Sequence, residues 1–272
     1  MADLRVALAD ALGPIYRVER EVRPVGKCRQ FVALELPDGP GLLVKVLPAE
    51  LSLAADAGAF ERELLLLGDR LGHPQLVAPT GAGRAGAFVY FTRRFVEGTT
   101  LRAWLARSGE LPLRQTVEIL RDILTGLAHA HATRIVHGDL KPENVLLADG
   151  RALVADAGVV DALARALPAG APRAAASAAL CTPTYVAPER RDDDPPVAPS
   201  EDLFSVGVLV HEMLTGQPPA AEAESLEEVR SLPPWLPELV RRCLALEPSG
   251  RWPDAGAALG RVTRPGGGGG LV

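Results

Sequence analysis

Apolar residues recur mostly at strand spacing through the first third of the chain and at helical spacing afterwards. Between about residues 15 and 46 the alternation suggests strands separated by turns. F-V-A-L-E-L, the turn P-D-G-P-G and L-L-V-K-V-L read as a hairpin, since Pro and Gly interrupt two apolar runs. Ahead of them, Leu4, Leu8 and Leu12 share one face of a short helix that ends at Gly13-Pro14. Packing on the domain is its expected use, ahead of docking a partner. A helix is expected over 59–71, stopped by Gly72-His73-Pro74, and a strand over 87–91.

The pattern then becomes helical. Residues 112–131 carry Val117, Leu120, Ile123, Leu124 and Leu127 on one face. Residues 203–214 are nearly apolar all round and predict a buried helix, and 236–246 predict a last core helix. Strands followed by helices imply an α+β, two-lobed architecture. Pro and Gly clusters near 168–172 and 195–199 mark irregular loops, and no internal repeat is visible.

Composition narrows the class. A length of 272 residues suits one two-lobed domain or two small ones, and 47% hydrophobic content suffices for a core. The formal charge of −5 argues against non-specific nucleic-acid binding, which needs a basic footprint. Cys28, Cys181 and Cys243 are scattered and odd in number, as expected in a reducing compartment without disulfides or structural zinc. Asp3, Arg5 and Asp10 interrupt any signal-peptide core, and no run approaches the roughly 18 apolar residues of a membrane span. The expectation is a soluble cytoplasmic protein with a flexible tail, R-P-G-G-G-G-G-L-V.

The chemistry concentrates in I-V-H-G-D-L-K-P-E-N-V-L-L, residues 135–147. One short loop there carries a carboxylate (Asp139), a cation (Lys141) and a neutral oxygen ligand (Asn144), the groups that can surround a reacting phosphoryl group. Further on come L-V-A-D-A-G with Asp156, C-T-P-T-Y-V-A-P-E over 181–189, S-E-D-L-F with Asp202, and E-P-S-G-R-W-P with Arg251. Four motifs in this order and spacing resemble the eukaryotic-type Ser/Thr protein kinases found in bacteria, over roughly residues 15–262.

The resemblance implies a kinase fold: a helical extension over 1–14, a β-rich N-lobe over 15–97, a helical C-lobe over 98–264 and a tail over 265–272. It also implies roles. Asp139 accepts or orients the substrate hydroxyl proton, and Lys141 neutralises the transferring phosphate. Thr182 sets its hydroxyl against both. Asn144 and Asp156 hold Mg²⁺. Lys45, in L-L-V-K-V-L, grips the ATP phosphates and pairs with a helix carboxylate, Glu63 or Glu61. Gly26, Leu43 and Leu146 complete the nucleotide site. Asp202 holds the catalytic-loop backbone, His137 packs under the loop, and Arg251 pairs with Glu189.

Several residues depart from the family pattern. Gly138 stands where the family has an arginine that pairs with a phosphorylated activation segment. Ser177, Thr182 and Thr184 therefore lack the usual partner for a phosphosite. Ala157 replaces a phenylalanine, which implies a weaker anchor for that segment. Arg23, Val25 and Cys28 fall on the three glycines of the phosphate loop. Pro24 lacks an amide hydrogen, Gln30 replaces a valine and Leu43 an alanine. Arg93 and Arg94, before F-V-E-G, read as a solvated edge ahead of a substrate contact, Arg93 near the adenine pocket being a further departure, and His129 and His131 read as structural. The stretch from 216 to 235 reads as a shortened docking region.

The implied function is transfer of the ATP γ-phosphate to a Ser/Thr hydroxyl of a protein substrate. A pseudokinase scaffold stays open because of the phosphate loop. A small-molecule phosphotransferase of the aminoglycoside type stays open because of H-G-D.

Overall fold

Period-two patterning builds a curved sheet whose two faces do different work. In the computed structural model the residues described are 4–22, 27–168, 173–192, 197–220, 226 and 232–263. Strands β1 (Tyr16–Val22), β2 (Arg29–Glu35), β3 (Gly41–Val46), β5 (Pro79–Ala85) and β6 (Phe88–Arg94) form one sheet in the order β1-β2-β3-β6-β5. All four pairings are antiparallel. Phe31, Ala33, Val44, Val46 and Tyr90 cluster with Leu4 and Leu8 of helix α1 (Leu4–Leu12). The leading helix thus packs on the sheet, as its leucine spacing predicted.

Alternation sends the intervening side chains to the opposite face. There Gln30 lies across from Lys45, Lys45 from Phe91, and Leu43 from Arg93. That face meets the helical half. Two helices follow β3, α2 (Ala49–Ala54) and α3 (Ala57–Arg70). Asp56 caps α3 by accepting from the Ala59 amide at 2.8 Å, and α3 buries Phe60 and Leu64.

The second lobe is built on α5 (Leu113–Ala132) and α9 (Pro199–Thr215), preceded by α4 (Leu101–Ser108) and completed by α10 (Trp235–Cys243) and α11 (Ala255–Thr263). Every residue of α9 from Ser200 to Leu214 is buried, as the all-round apolar pattern predicted. Its polar exceptions have partners: Glu201 with Arg190 at 2.6 Å, Asp202 with His131 at 2.9 Å, and Glu212 with Arg102 at 2.6 Å. A small sheet, β4 (Leu76–Val77), β9 (Arg151–Ala155), β8 (Val145–Ala148) and β7 (Thr99–Thr100), lies where the halves meet.

The stretch after Asp156 is helical on both sides of the irregular loop expected near 168–172, of which only residue 168 is described. It forms α6 (Val159–Ala166) and α7 (Arg173–Leu180), followed by a single turn, α8 (Glu189–Asp192). Val159, Val160, Leu163 and Ala166 make one apolar stripe, and they cluster with Phe60 and Leu64 of α3. Burying each large side chain stabilises by about 1.5–3 kcal/mol relative to exposure, so the helix has its own driving force. Ala157, which stands in place of the family's aromatic ring, is buried as well. Residues 169–172, 193–196 and most of 221–231 lie outside the described residues, and so do the expected tail and the middle of the expected docking region.

Candidate active site

The loop 137–144 is fixed from below. The Asp202 carboxylate accepts from the His137 and Gly138 amides at 2.7 and 3.0 Å, and its Oδ2 lies 2.9 Å from His131 Nε2. Burial alone would push the Asp202 carboxyl up, but the His131 hydrogen bond and the neighbouring histidines outweigh it and hold it below the usual range. His137 Nδ1 accepts from the Asp139 amide at 3.2 Å, while Nε2 donates to the Ala155 carbonyl at 3.0 Å. Gly138 takes a φ of 77°, a left-handed conformation that glycine adopts without strain.

On this platform Asp139 meets Lys141 at 2.7 Å, and Asn144 Nδ2 donates to the Asp139 carboxylate at 3.2 Å. Burial raises the Asp139 carboxyl above its ordinary range, and the Lys141 charge opposes that shift without cancelling it. Lys141 also donates to the Leu180 carbonyl at 3.0 Å.

The upper wall comes from β3. Lys45 Nζ pairs with Asp156 Oδ2 and donates to Asn144 Oδ1 at 3.2 Å. Arg93, buried on β6, brings Nε to 3.3 Å from Asp156 Oδ1, an ion pair whose geometry falls short of a hydrogen bond. Burial works against the Asp156 charge, but Lys45 and Arg93 together hold its carboxyl below the usual range. Asp156 itself adopts φ 68° and Gly158 φ 78°. A Cβ on Gly158 would come within 2.9 Å of Leu67, so this turn requires glycine.

Asn144 Oδ1 and Asp156 Oδ2 therefore converge on one ammonium. Two oxygens that share a single positive charge form a donor set suited to a hard divalent cation, which takes oxygen ligands and only one or two carboxylates. Mg²⁺ fits these residues. Two adjacent hollows open between the lobes. One, about 40 Å³, is lined by Cys28, Gln30, Lys45, Asp139, Asn144 and Asp156. The other, about 160 Å³, lies between Leu43 and Leu146, with Arg93 and Val96 also in its wall. A larger cavity of about 500 Å³, beside Trp104 and Arg151, contains none of these side chains and belongs to the second lobe alone.

Three expectations need correction. Glu63 does not reach Lys45: its carboxylate pairs with Arg165 of α6 at 3.0 Å, because α6 packs against α3 and places a guanidinium beside it. Glu61 is exposed and does not take its place. Thr182 makes no hydrogen bond to Asp139 or Lys141 among the described residues, since the Leu180 carbonyl takes that position on Lys141. Arg93 is not a solvated edge but is 5% exposed and reaches Asp156. Gly26, with Arg23, Pro24 and Val25, lies outside the described residues. Lys45, Leu43, Leu146, Asp139, Lys141, Asn144 and Asp156 all line the cleft.

The profile of the protein kinase domain family matches residues 31–257, and the chain belongs to that family. It is 36% identical over 203 residues to the serine/threonine-protein kinase PknL of Mycobacterium tuberculosis, covering 68% of this chain and 49% of PknL. It is 28% identical over 274 residues to PknA of the same species, covering 92% of this chain and 62% of PknA. The chain spans about half the length of PknL. The fold matches the PknI kinase domain of M. tuberculosis with a TM-score of 0.73 at 21% identity, covering 92% of this chain and 95% of that one. It also matches Rad53 solved with AMP-PNP, with a TM-score of 0.70 at 23% identity, covering 94% and 67%. Both similarities establish the two-lobed kinase fold.

Sequence reasoning missed Arg93, although a signal was present. In F-V-Y-F-T-R-R, Val89, Phe91 and Arg93 share one face, and Phe91 pairs with Lys45 across the strands, so Arg93 had to face the cleft. Also missed was a network under the 181–189 segment. Tyr185 donates to Glu212 at 2.5 Å, while Arg102 donates to the Tyr185 oxygen and to Glu212, each at 2.6 Å. Glu212 on an apolar helix was the readable hint. Arg251 pairs with Glu189 through two bonds at 2.7 and 2.8 Å, as expected.

Proposed function

We propose that this chain is the catalytic domain of a Ser/Thr protein kinase that transfers the γ-phosphate of Mg-ATP to a protein hydroxyl. The observation that carries this reading is the convergence of Lys45, Asp139, Lys141, Asn144 and Asp156 on one cleft. Asp139 accepts the proton of the attacking hydroxyl, helped by a carboxyl whose basicity burial has raised. Lys141, 2.7 Å from Asp139, stabilises charge on the phosphoryl oxygens as it moves between donor and acceptor. Lys45 leaves Asp156 to bind phosphate oxygens. Asn144 and Asp156 would hold Mg²⁺, which when bound neutralises phosphate charge and orients the leaving group. Lobe boundaries near 97 and 98 and action in the cytoplasm belong to the same reading, the latter resting on the three free cysteines. Among the described residues no helix is long and apolar enough to cross a membrane.

The present geometry supports an inactive conformation of such an enzyme, with Lys45 on Asp156 and Glu63 on Arg165. The pseudokinase reading draws on the same two pairs. Purified protein incubated with γ-labelled Mg-nucleotide and a generic Ser/Thr protein should label the protein, and Asp139→Asn should remove at least 99% of the label. No transfer, or transfer that survives Asp139→Asn, would sink the proposal. Labelling of small amino-alcohols but not proteins would move the chain to the small-molecule class.

A further inference from the structure

The hollow between Leu43 and Leu146 has two apolar walls, as a flat base requires, but an unusual far end. Arg93 enters it from β6, 5% exposed. Its Nη1 donates to the carbonyl of its own neighbour Arg94 at 3.3 Å, and its Nε faces Asp156 without forming a hydrogen bond. The hydrogen-bonding capacity of this buried guanidinium is thus only partly used. Arg20, Gln30, Thr99 and Thr100 also line the hollow, and among the described residues no carboxylate does. Arg93 and Arg20 are thus the side chains there that donate and cannot accept, whereas Gln30, Thr99 and Thr100 can do either.

Guanidinium donates only and accepts nothing. The 6-amino group of adenine is itself a donor, so at this end it would face the Arg93 guanidinium and share the Arg94 carbonyl with it. Guanine places the O6 and N7 acceptors on the corresponding edge, the pair that arginine recognises most often in base readout. A buried donor left unpaired is costly, which makes such a site discriminating.

We propose that Arg93 is a specificity-determining residue that makes this cleft prefer a guanine over an adenine nucleoside triphosphate. The inference rests on reading the cleft as a nucleotide site and changes which phosphoryl donor that site takes. Asp156 remains a partner of Arg93, and the base competes for the N–H groups that Asp156 does not hold.

Isothermal titration of the whole chain with GTP and with ATP, each at excess Mg²⁺, tests this. The expected result is a Kd for GTP at least fivefold below that for ATP. Arg93→Met, which keeps length and loses every donor, should cancel or reverse that ratio, and Arg93→Lys should retain part of it. The wild-type comparison stands even if a variant fails to fold. ATP bound as tightly as GTP by wild type would overturn the inference while leaving the kinase reading intact. ATP binding that appears only in Arg93→Met would also overturn it, because Arg93 would then be a plug. Failure of both nucleotides to bind any folded form would overturn this inference and the kinase reading together.

Discussion

Glu63 of α3 and Arg165 of α6 stand 3.0 Å apart, and their pairing keeps the α3 carboxylate away from Lys45. The apolar stripe of α6 holds this arrangement more firmly than the ion pair does. Val159, Val160 and Leu163 are each worth about 1.5–3 kcal/mol when buried, while a surface ion pair contributes about 0–1 kcal/mol. Arg165→Ala should therefore change stability by less than about 1 kcal/mol. It should also free Glu63 and raise the phosphotransfer rate several-fold. Urea unfolding and an initial-rate assay check the two halves separately.

Asp139 makes the acid side of the pH profile informative. Burial raises its carboxyl, so as pH falls it takes up its proton earlier than an ordinary aspartate, whose pKa is about 3.9. A protonated Asp139 cannot act as base. The acid limb of kcat/KM should therefore lie above pH ~4. A limb at or below that value would show that Asp139 does not govern the step.

Asp202 shifts in the opposite sense. Its folded carboxyl is depressed, so the unfolded chain binds the proton first as pH falls. The stability it contributes is complete above the unfolded value near ~4 and is lost as pH drops through the lower folded value. Asp202→Ala should cost about 3–5 kcal/mol at pH 7, since it breaks a buried pair and leaves two loop amides without a partner. The difference between wild type and variant should shrink in urea titrations carried below pH ~4.

Arg251 has a side chain with no solvent exposure, paired with Glu189 and bonded to the Ala245 carbonyl at 2.7 Å and the Leu246 carbonyl at 2.9 Å. Arg251→Ala should destabilise by about 3–5 kcal/mol. Arg251→Lys should recover little of this, because a point charge cannot reproduce the two-pronged contact. Equilibrium unfolding midpoints of the three proteins decide it.

The second lobe could be read from the sequence because its residues act through local spacing. Asp139, Lys141 and Asn144 share one loop, and the leucine and valine periods of α5 and α9 display their buried faces. The hairpin of β2 and β3 was equally clear, since Pro and Gly mark its turn. What stayed hidden depends on contacts between distant segments. Glu63 had the right helix but the wrong partner, because only packing shows that Val160 and Leu163 lie against Phe60 and Leu64. Thr182 lost its expected place to a backbone carbonyl, which no side-chain pattern encodes. Arg93 was misread because two adjacent arginines suggested solvent, although strand parity pointed one of them inward.

Binding of Mg²⁺ and nucleoside triphosphate to wild type and to Lys45→Ala, measured by calorimetry on folded protein, puts the shared cleft to the test. Wild type should bind saturably. Removing a charge-assisted contact to phosphate should weaken binding by roughly ten- to a hundredfold, about 1.5–3 kcal/mol. Equal affinity in the two proteins, or no saturable binding by wild type at millimolar nucleotide, would contradict the convergence of Lys45, Asp139 and Asp156 on one bound triphosphate.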